Sequence, residues 1–238
     1  MPSLFLHHMF FFRLNKVKIR DNGSVKSGLG LFGNDWADVK FLSFVTTKND
    51  ALPSLDLFVQ AKTEEERRES LRGMVARIVA TREMTEVSQV EDNDSVTFGD
   101  TGYVLYQADE IPDCFNWTFM AIASKRGVRE AGATVHEIVN HEQFGDLTNG
   151  ILRLAAGGAA AANPAYGAAI QVAKFVAQVS AARLMAAGDR TLGAVNMSLD
   201  RGQHYPFGER KVDDVLDSTG NMTFDYSIFA YKRALPVL

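Results

Sequence analysis

Residues 151–187 read ILRLAAGGAAAANPAYGAAIQVAKFVAQVSAARLMAA, and this stretch decides the fold class. It is rich in alanine and glycine, and no charged residue occurs from Leu154 to Ala173. Asn163-Pro164 interrupts it, because the residue before a proline avoids the α region and proline cannot donate a hydrogen bond inside a helix. The stretch therefore predicts two closely packed helices, spanning roughly 147–161 and 165–187, joined as a hairpin.

The sequence on both sides of this hairpin has strand character. In the first strand Leu14, Val17 and Ile19 alternate with basic residues, as in a strand with one buried face. Segments typical of strands span residues 10–19, 39–46, 55–61, 103–106, 115–123, 192–199 and 222–231. We therefore expect a mainly β fold, a sandwich of about eight antiparallel strands. The sandwich would use residues 9–146 and 189–233 of a single domain, 1–238, with the hairpin inserted at 147–187.

Two segments are ambiguous between helix and strand. Thr63 and Glu66 have the spacing of a capping box, so a helix is expected to begin there. Beyond Val75, β-branched residues become frequent, and residues 75–90 could continue the helix or form a strand. Residues 128–142 could be a strand, a helix or one of each.

Composition and charge exclude some classes of protein. Nucleic-acid binding favours a basic stripe, and the formal net charge of −4 gives no electrostatic case for it, so no nucleic-acid partner is expected. Cys114 is the only cysteine, which rules out an internal disulfide and is typical of a reducing compartment. The N-terminal residues lack a basic segment and a signal-peptide cleavage site, and they are too short to span a bilayer. A soluble, cytoplasmic protein is favoured.

No set of residues predicts a catalytic site. His136 and His141 are five residues apart, whereas the zinc-protease motif needs four so that both lie on one helical face. Glycines 28, 30 and 33 spell a dinucleotide-binding pattern, but no helix follows them. Cys114 precedes aromatic residues, a setting that favours an inert, packed thiol. A non-enzymatic protein is favoured. The alternative is an unrecognised hydrolase that uses Asp100 and Asp109, or His136 with Glu137.

Acidic residues recur in the turns between the expected strands. Asp21, Asp35 and Asp94 are candidate calcium ligands, because calcium takes six to eight oxygen ligands from loop carboxylates and carbonyls. Asp and Asn are also the usual turn-forming residues, since their side chains bond to nearby backbone amides. Both interpretations of these positions stay open.

Three sequence segments resemble those of the C-two domain, a calcium- and phospholipid-binding β-sandwich. They are RLNKVKIRDN at 13–22, GDTGYVLY at 99–106 and DRTLGAVNMSLDRG at 189–202. Asp189, Leu192-Gly193 and Val195 match a late strand of that family. The resemblance implies a calcium-binding end of the sandwich, with Asp21 and Asp35 in its first loop. The chain departs from the family after residue 123, where a basic turn with Lys125 and Arg126 replaces an aspartate-rich loop.

We therefore expect a binding or assembly module rather than an enzyme. It would recognise a macromolecular or anionic partner through its end loops, with calcium as a candidate cofactor and Lys125 and Arg126 as candidate partner-binding residues. The alternative non-enzymatic role is a homo-oligomer formed through residues 167–187.

Overall fold

The computed structural model describes residues 6–24, 35–51, 55–124, 135–157, 163–185 and 189–234. These residues form nine strands and five α-helices. The strands are β1 (Leu6–Ile19), β2 (Ala37–Thr47), β3 (Glu83–Val90), β4 (Ser95–Thr97), β5 (Tyr103–Ala108), β6 (Cys114–Ser124), β7 (Arg190–Asp200), β8 (Gly208–Leu216) and β9 (Met222–Ala234).

The nine strands form two antiparallel sheets. In sheet 1, β1 pairs with β4 and β5 on one side and with β9 on the other, and β9 pairs with β8. In sheet 2 the strand order is β3-β2-β6-β7. The mainly β, two-sheet fold expected from the sequence is therefore confirmed.

The two sheets share one hydrophobic core. Side chains alternate along each strand, so every second residue of β1, β2, β6 and β9 faces the opposite sheet. Trp117 of β6 is fully buried there, 5.0 Å from the ring of Phe12 in β1 and 5.0 Å from that of Phe224 in β9. Its indole Nε1 donates a hydrogen bond to the hydroxyl of Ser43 (2.9 Å). Trp117 thus links both sheets, as a sandwich requires.

The helices cover the other face of sheet 2. They are α1 (Leu55–Gln60), α2 (Glu64–Ala80), α3 (Val135–Val139), α4 (Phe144–Ala156) and α5 (Pro164–Leu184). Their apolar residues form a second core with Leu42, Phe44 and Ile122, which point away from the first core. The layers are therefore sheet 1, sheet 2 and helices.

Two of these helices lie within or beside the predicted insertion. Helix α4 begins three residues before residue 147, α5 begins at Pro164, and the residues between them, 158–162, lie outside the described residues. The side chain of Asn163 accepts a hydrogen bond from the Tyr166 amide and caps α5. The small residues of α5, such as Ala173 and Ala177, are buried inside this chain. No helix in the described ranges combines the length and apolarity needed to cross a bilayer.

The prediction of a strand at residues 55–61 was wrong. This segment forms helix α1, which buries Phe58 in the helix layer. In a strand Leu57 and Val59 would share a buried face, but both are exposed, and Leu57 is 67% exposed. The alternation of apolar residues was therefore fortuitous, and Phe58 alone anchors the segment.

The two ambiguous segments are resolved where they are described. Residues 75–90 contain the end of α2, a turn at Thr81 and Arg82, and then strand β3. Residues 135–139 form α3, while 128–134 lie outside the described residues.

The capping box that begins α2 is confirmed. Thr63 Oγ1 accepts a hydrogen bond from the Glu66 amide (3.2 Å), and the Glu66 carboxylate accepts one from the Thr63 amide (3.2 Å). We expect Thr63→Ala to lower the free energy of unfolding by about 1 kcal/mol, because one helix amide loses its partner. Urea denaturation measures this change. The exposed Thr101 provides a control, and Thr101→Ala should change stability by less than about 0.5 kcal/mol. Equal effects of the two variants would contradict the capping role.

Candidate functional site

Several turns meet at one end of the sandwich, which we call the aspartate end. It comprises the turns at residues 20–24, 35–36, 91–94 and 217–221. These turns follow β1, precede β2, follow β3 and precede β9, respectively. The antiparallel pairing of these strands brings the turns to the same end.

Asn22 joins three of these turns. Its side chain is fully buried, and Nδ2 donates to the carbonyl oxygens of Asp35 (2.7 Å) and Val90 (2.8 Å). Its Oδ1 accepts from the Ser24 amide (2.8 Å), and its own amide donates to Asp92 Oδ1 (2.9 Å). A buried carboxamide satisfied on both sides fixes the relative positions of the segments it bonds. The sequence pointed to Asp21 in this turn as a candidate calcium ligand, and the role of its neighbour Asn22 was missed.

Asp21 lies beside this centre and is exposed. Its Oδ1 accepts from the Gly23 amide (2.9 Å) and from Nη2 of Arg190 (2.7 Å). The hydrogen bond from Gly23, together with the Arg190 guanidinium, holds the pKa of the Asp21 carboxyl below its ordinary value. Asp21 is therefore a charged turn residue that is paired with a cation of this chain.

The other two predicted metal ligands also stabilise turns. Asp94 Oδ2 accepts from the Glu91 amide (2.8 Å), and the Asp94 carbonyl accepts from the Ile19 amide (2.9 Å). Asp35 contributes its carbonyl oxygen to Asn22. The structure thus brings the loops of Asp21, Asp35 and Asp94 to one end. Lys125 and Arg126 lie outside the described residues, directly after β6.

That Asp21, Asp35 and Asp94 bind calcium stays a prediction. The Asp21 carboxylate is paired with the Arg190 guanidinium, whose Nη2 lies 2.7 Å from Oδ1. Within the part of the chain that the structure describes, no three His, Cys, Asp or Glu side chains come together to hold a metal ion.

Asp217 anchors the fourth turn and was not singled out by the sequence. It is only 5% exposed. Its Oδ2 accepts from the amides of Ala194 (3.1 Å) and Thr219 (3.0 Å) and from the Thr219 hydroxyl (2.6 Å), while Oδ1 accepts from the Met222 amide (2.9 Å). Burial raises the pKa of Asp217, but the hydrogen bonds lower it by a larger amount, so the pKa lies below its ordinary value.

This arrangement predicts acid-sensitive stability. The pKa of Asp217 is lower in the folded state than in the unfolded state. Its contribution to the free energy of unfolding is therefore complete above the unfolded-state pKa and is lost as the pH falls through the folded-state pKa. We expect Asp217→Asn to cost about 2 kcal/mol at pH 7, since an amide cannot accept all four hydrogen bonds. The difference in the free energy of unfolding between Asp217→Asn and the unmodified protein should become smaller below about pH 4.

Chemical denaturation between pH 3 and pH 7 measures that difference. The exposed Asp100 gives a matched control, because Asp100→Asn should stay within about 0.5 kcal/mol of the unmodified protein. A cost for Asp217→Asn that did not change with pH would contradict the prediction.

The residues considered for catalysis lie at three places in the fold. Asp100 is in the turn before β5, Asp109 follows β5, and His136 and Glu137 are exposed on α3. Cys114 is half-buried at the start of β6, where it lines a cavity of about 230 Å³, so it is not the packed core thiol that the sequence suggested.

Trp36 gives the aspartate end an exposed aromatic group. It is 37% exposed and follows Asp35, whose carbonyl is bonded to Asn22. Tryptophan and arginine are the residues most enriched at the energetic centres of protein interfaces. Trp36 and the exposed Arg20 supply these types in the turns, and the exposed Arg190 at the start of β7 lies beside them, bonded to Asp21.

No protein-family model matches the chain, and no curated protein is significantly similar to it.

Proposed function

We propose that this protein is a non-enzymatic binding module that engages a protein partner with the aspartate end of its β-sandwich. The observation that carries the proposal is the joining of three turns by Asn22, beside the exposed Trp36. Turns held in fixed positions lose little entropy on binding, which favours their use as a recognition surface. The use of end loops agrees with the resemblance to C-two domains.

Charge indicates the chemistry of the partner. Carboxylates outnumber guanidinium groups in these turns: Asp21, Asp35, Glu91, Asp92, Asp94 and the buried Asp217 against Arg20, with Arg190 nearby at the start of β7. An acidic surface is complementary to a basic one and accelerates its association. The favoured partner is therefore a protein with a basic surface and an apolar pocket for Trp36.

Photo-crosslinking in the native cell tests this proposal. A photoreactive phenylalanine analogue at position 36 should give a discrete adduct with another protein. The same analogue at position 57, which is exposed on the helix layer, serves as the control and should not give that adduct. Substituting lysine for Asp35 and Asp94 should weaken the adduct by reversing the charge of the surface. The proposal is wrong if position 36 gives no adduct, or gives the same adducts as position 57.

An anionic surface, with calcium as an aid, is the second candidate, favoured by the basic turn at Lys125 and Arg126. Cosedimentation with phosphatidylserine–phosphatidylcholine vesicles tests this candidate. The assay is run with and without calcium at about 1 mM, the level at which the weakest extracellular calcium modules bind. Binding that Lys125→Glu with Arg126→Glu abolishes would support this candidate. Arg153→Glu with Lys174→Glu makes the same charge change on the helices and should have no effect. Absence of vesicle binding would exclude the candidate.

Self-association through residues 167–187 is the remaining hypothesis. The apolar residues of α5 are used inside this chain, so a contact between copies would rely on exposed side chains such as Lys174, Gln178 and Arg183. Sedimentation velocity gives the mass directly. A monomer would exclude this hypothesis.

A further inference from the structure

A row of uncharged polar side chains crosses the helix-side face of sheet 2. We call it the polar ladder; its members are Thr46 of β2, Asn116 and Thr118 of β6, and Asn196 and Ser198 of β7. Asn116 lies opposite both Thr46 and Ser198, and Thr118 lies opposite Asn196. Residues opposite each other in antiparallel strands share a face, so the five side chains form one continuous array.

Hydrogen bonds hold the ladder in one arrangement. Asn116 Nδ2 donates to Ser198 Oγ (3.1 Å) and to the Met197 carbonyl (3.1 Å). Asn196 Nδ2 donates to Asn116 Oδ1 (3.1 Å) and to Thr118 Oγ1 (2.8 Å). The rotamers of Asn196 and Ser198 are therefore set before any ligand arrives, which is the condition for a preorganised site.

The ladder is buried at one side and open at the other. Thr46, Asn116 and Thr118 are buried, whereas Asn196 and Ser198 on the edge strand β7 are exposed. The hydroxyl of Thr46 is fully buried and has no hydrogen-bond partner among the residues that the structure describes. An apolar residue in its place would avoid the desolvation cost of an unpaired hydroxyl, so packing alone does not explain this composition.

The two exposed members keep one unused group each. Both hydrogens of Asn196 Nδ2 are committed, while Oδ1 of this exposed residue receives only a 3.4 Å contact from Asn116, so it keeps capacity to accept a further hydrogen bond. Ser198 Oγ accepts from Asn116 and can donate its own hydrogen. Residues i and i+2 of a strand are about 7 Å apart, so an acceptor and a donor are displayed at roughly the width of a sugar ring.

The neighbours of the ladder extend this surface. Asp200 is next along the same face of β7, and its Oδ2 lies 2.9 Å from His204 Nδ1. Tyr166 of α5 borders the buried side, where its hydroxyl donates to the Thr46 carbonyl (3.4 Å). Burial raises the pKa of Tyr166 above its ordinary value, so the phenol stays neutral and can donate.

We propose that the polar ladder binds a neutral carbohydrate through the side chains of Asn196 and Ser198. Sugar hydroxyls both donate and accept, so they match a carboxamide oxygen beside a serine hydroxyl. The five members of the ladder are uncharged, and the neighbouring Asp200 carboxylate already contacts His204 Nδ1 (2.9 Å). This site is separate from the aspartate end and does not depend on the function proposed for that end.

Affinity electrophoresis tests this inference. The full chain is run through gels that contain hydroxyethyl cellulose, xylan, laminarin, galactomannan or dextran. We expect at least one of these neutral polysaccharides to retard the protein, and Asn196→Ala with Ser198→Ala to weaken retardation at least tenfold, as expected for the loss of about 1.4 kcal/mol. The matched control, Asn149→Ala with Ser95→Ala, removes exposed side chains elsewhere and should leave retardation unchanged.

A second measurement protects the test against misfolding of the variant. An oligosaccharide prepared from the polysaccharide that retards the protein is added to the unmodified protein. In ¹H–¹⁵N spectra it should shift the side-chain amide signals of Asn116 and Asn196. The conservative variant Ser198→Thr keeps the hydroxyl and should keep binding. The inference is overturned if no polysaccharide in the panel retards the protein, if the ladder variant is retarded equally, or if the shifts lie elsewhere.

Discussion

Trp117→Ala is expected to lower the free energy of unfolding by about 4 kcal/mol, the largest effect of any substitution proposed for this chain. Trp117 is fully buried, and its ring contacts Phe12, Phe119, Phe224 and Tyr226 from strands of both sheets. Truncation removes this contact area and leaves a cavity that the surrounding strands cannot close. The Ser43 hydroxyl also loses its hydrogen-bond donor.

Guanidinium denaturation followed by circular dichroism measures this cost. Two variants provide controls. Trp117→Phe keeps an aromatic ring but loses the bond to Ser43, and it should cost about half as much. Trp36→Ala changes the only other tryptophan, which is partly exposed, and should cost less than about 1 kcal/mol. A cost below about 1 kcal/mol for Trp117→Ala would mean that the two sheets do not pack around this residue.

Asn22→Ala should cost about 3 kcal/mol, because it leaves the Asp35 and Val90 carbonyls and the Ser24 amide without their partner. The same denaturation experiment measures it. Asn149→Ala, at an exposed position of α4, is the matched control and should change stability by less than about 0.5 kcal/mol. Similar costs for the two asparagines would contradict the role assigned to Asn22.

Asn22→Ala should weaken binding to the partner while leaving the secondary structure of the folded protein unchanged. At a temperature where the variant remains folded, the turns at 20–24, 35–36 and 91–94 lose their common anchor. The crosslinked adduct from position 36 should then weaken, while the circular dichroism spectrum stays that of a mainly β protein. An undiminished adduct would show that the surface does not need this anchor.

Local signals in the sequence were sufficient for several elements. The capping box at Thr63 and Glu66 involves residues three apart, and the alternation at 10–19 lies within one strand, so both could be recognised without knowing the fold. Helix α1 could not, because its identity depends on Phe58 packing in a layer formed by distant residues. Tertiary contact overrode the local pattern there.

The candidate site was predictable only in part. The acidic turns were evident, because Asp and Asn in short polar segments indicate turns. Burial of Asn22 could not be anticipated, since its partners Asp35 and Val90 are 13 and 68 residues away. Asp217 depends on Ala194, 23 residues earlier. The polar ladder could not be anticipated, because the partners of Asn116 in β7, Asn196 and Ser198, are 80 and 82 residues away.

The side-chain amide of Asn22 provides the most direct test of the joined turns on which the proposed binding surface depends. In ¹⁵N-edited spectra its Hδ2 protons should exchange slowly with water and give NOEs to residues 35–36 and 90–91, because Nδ2 donates to the carbonyls of Asp35 and Val90. The amide of the exposed Asn149 should exchange rapidly. Rapid exchange at Asn22, with NOEs only to its sequence neighbours, would contradict a surface built from turns that Asn22 holds together.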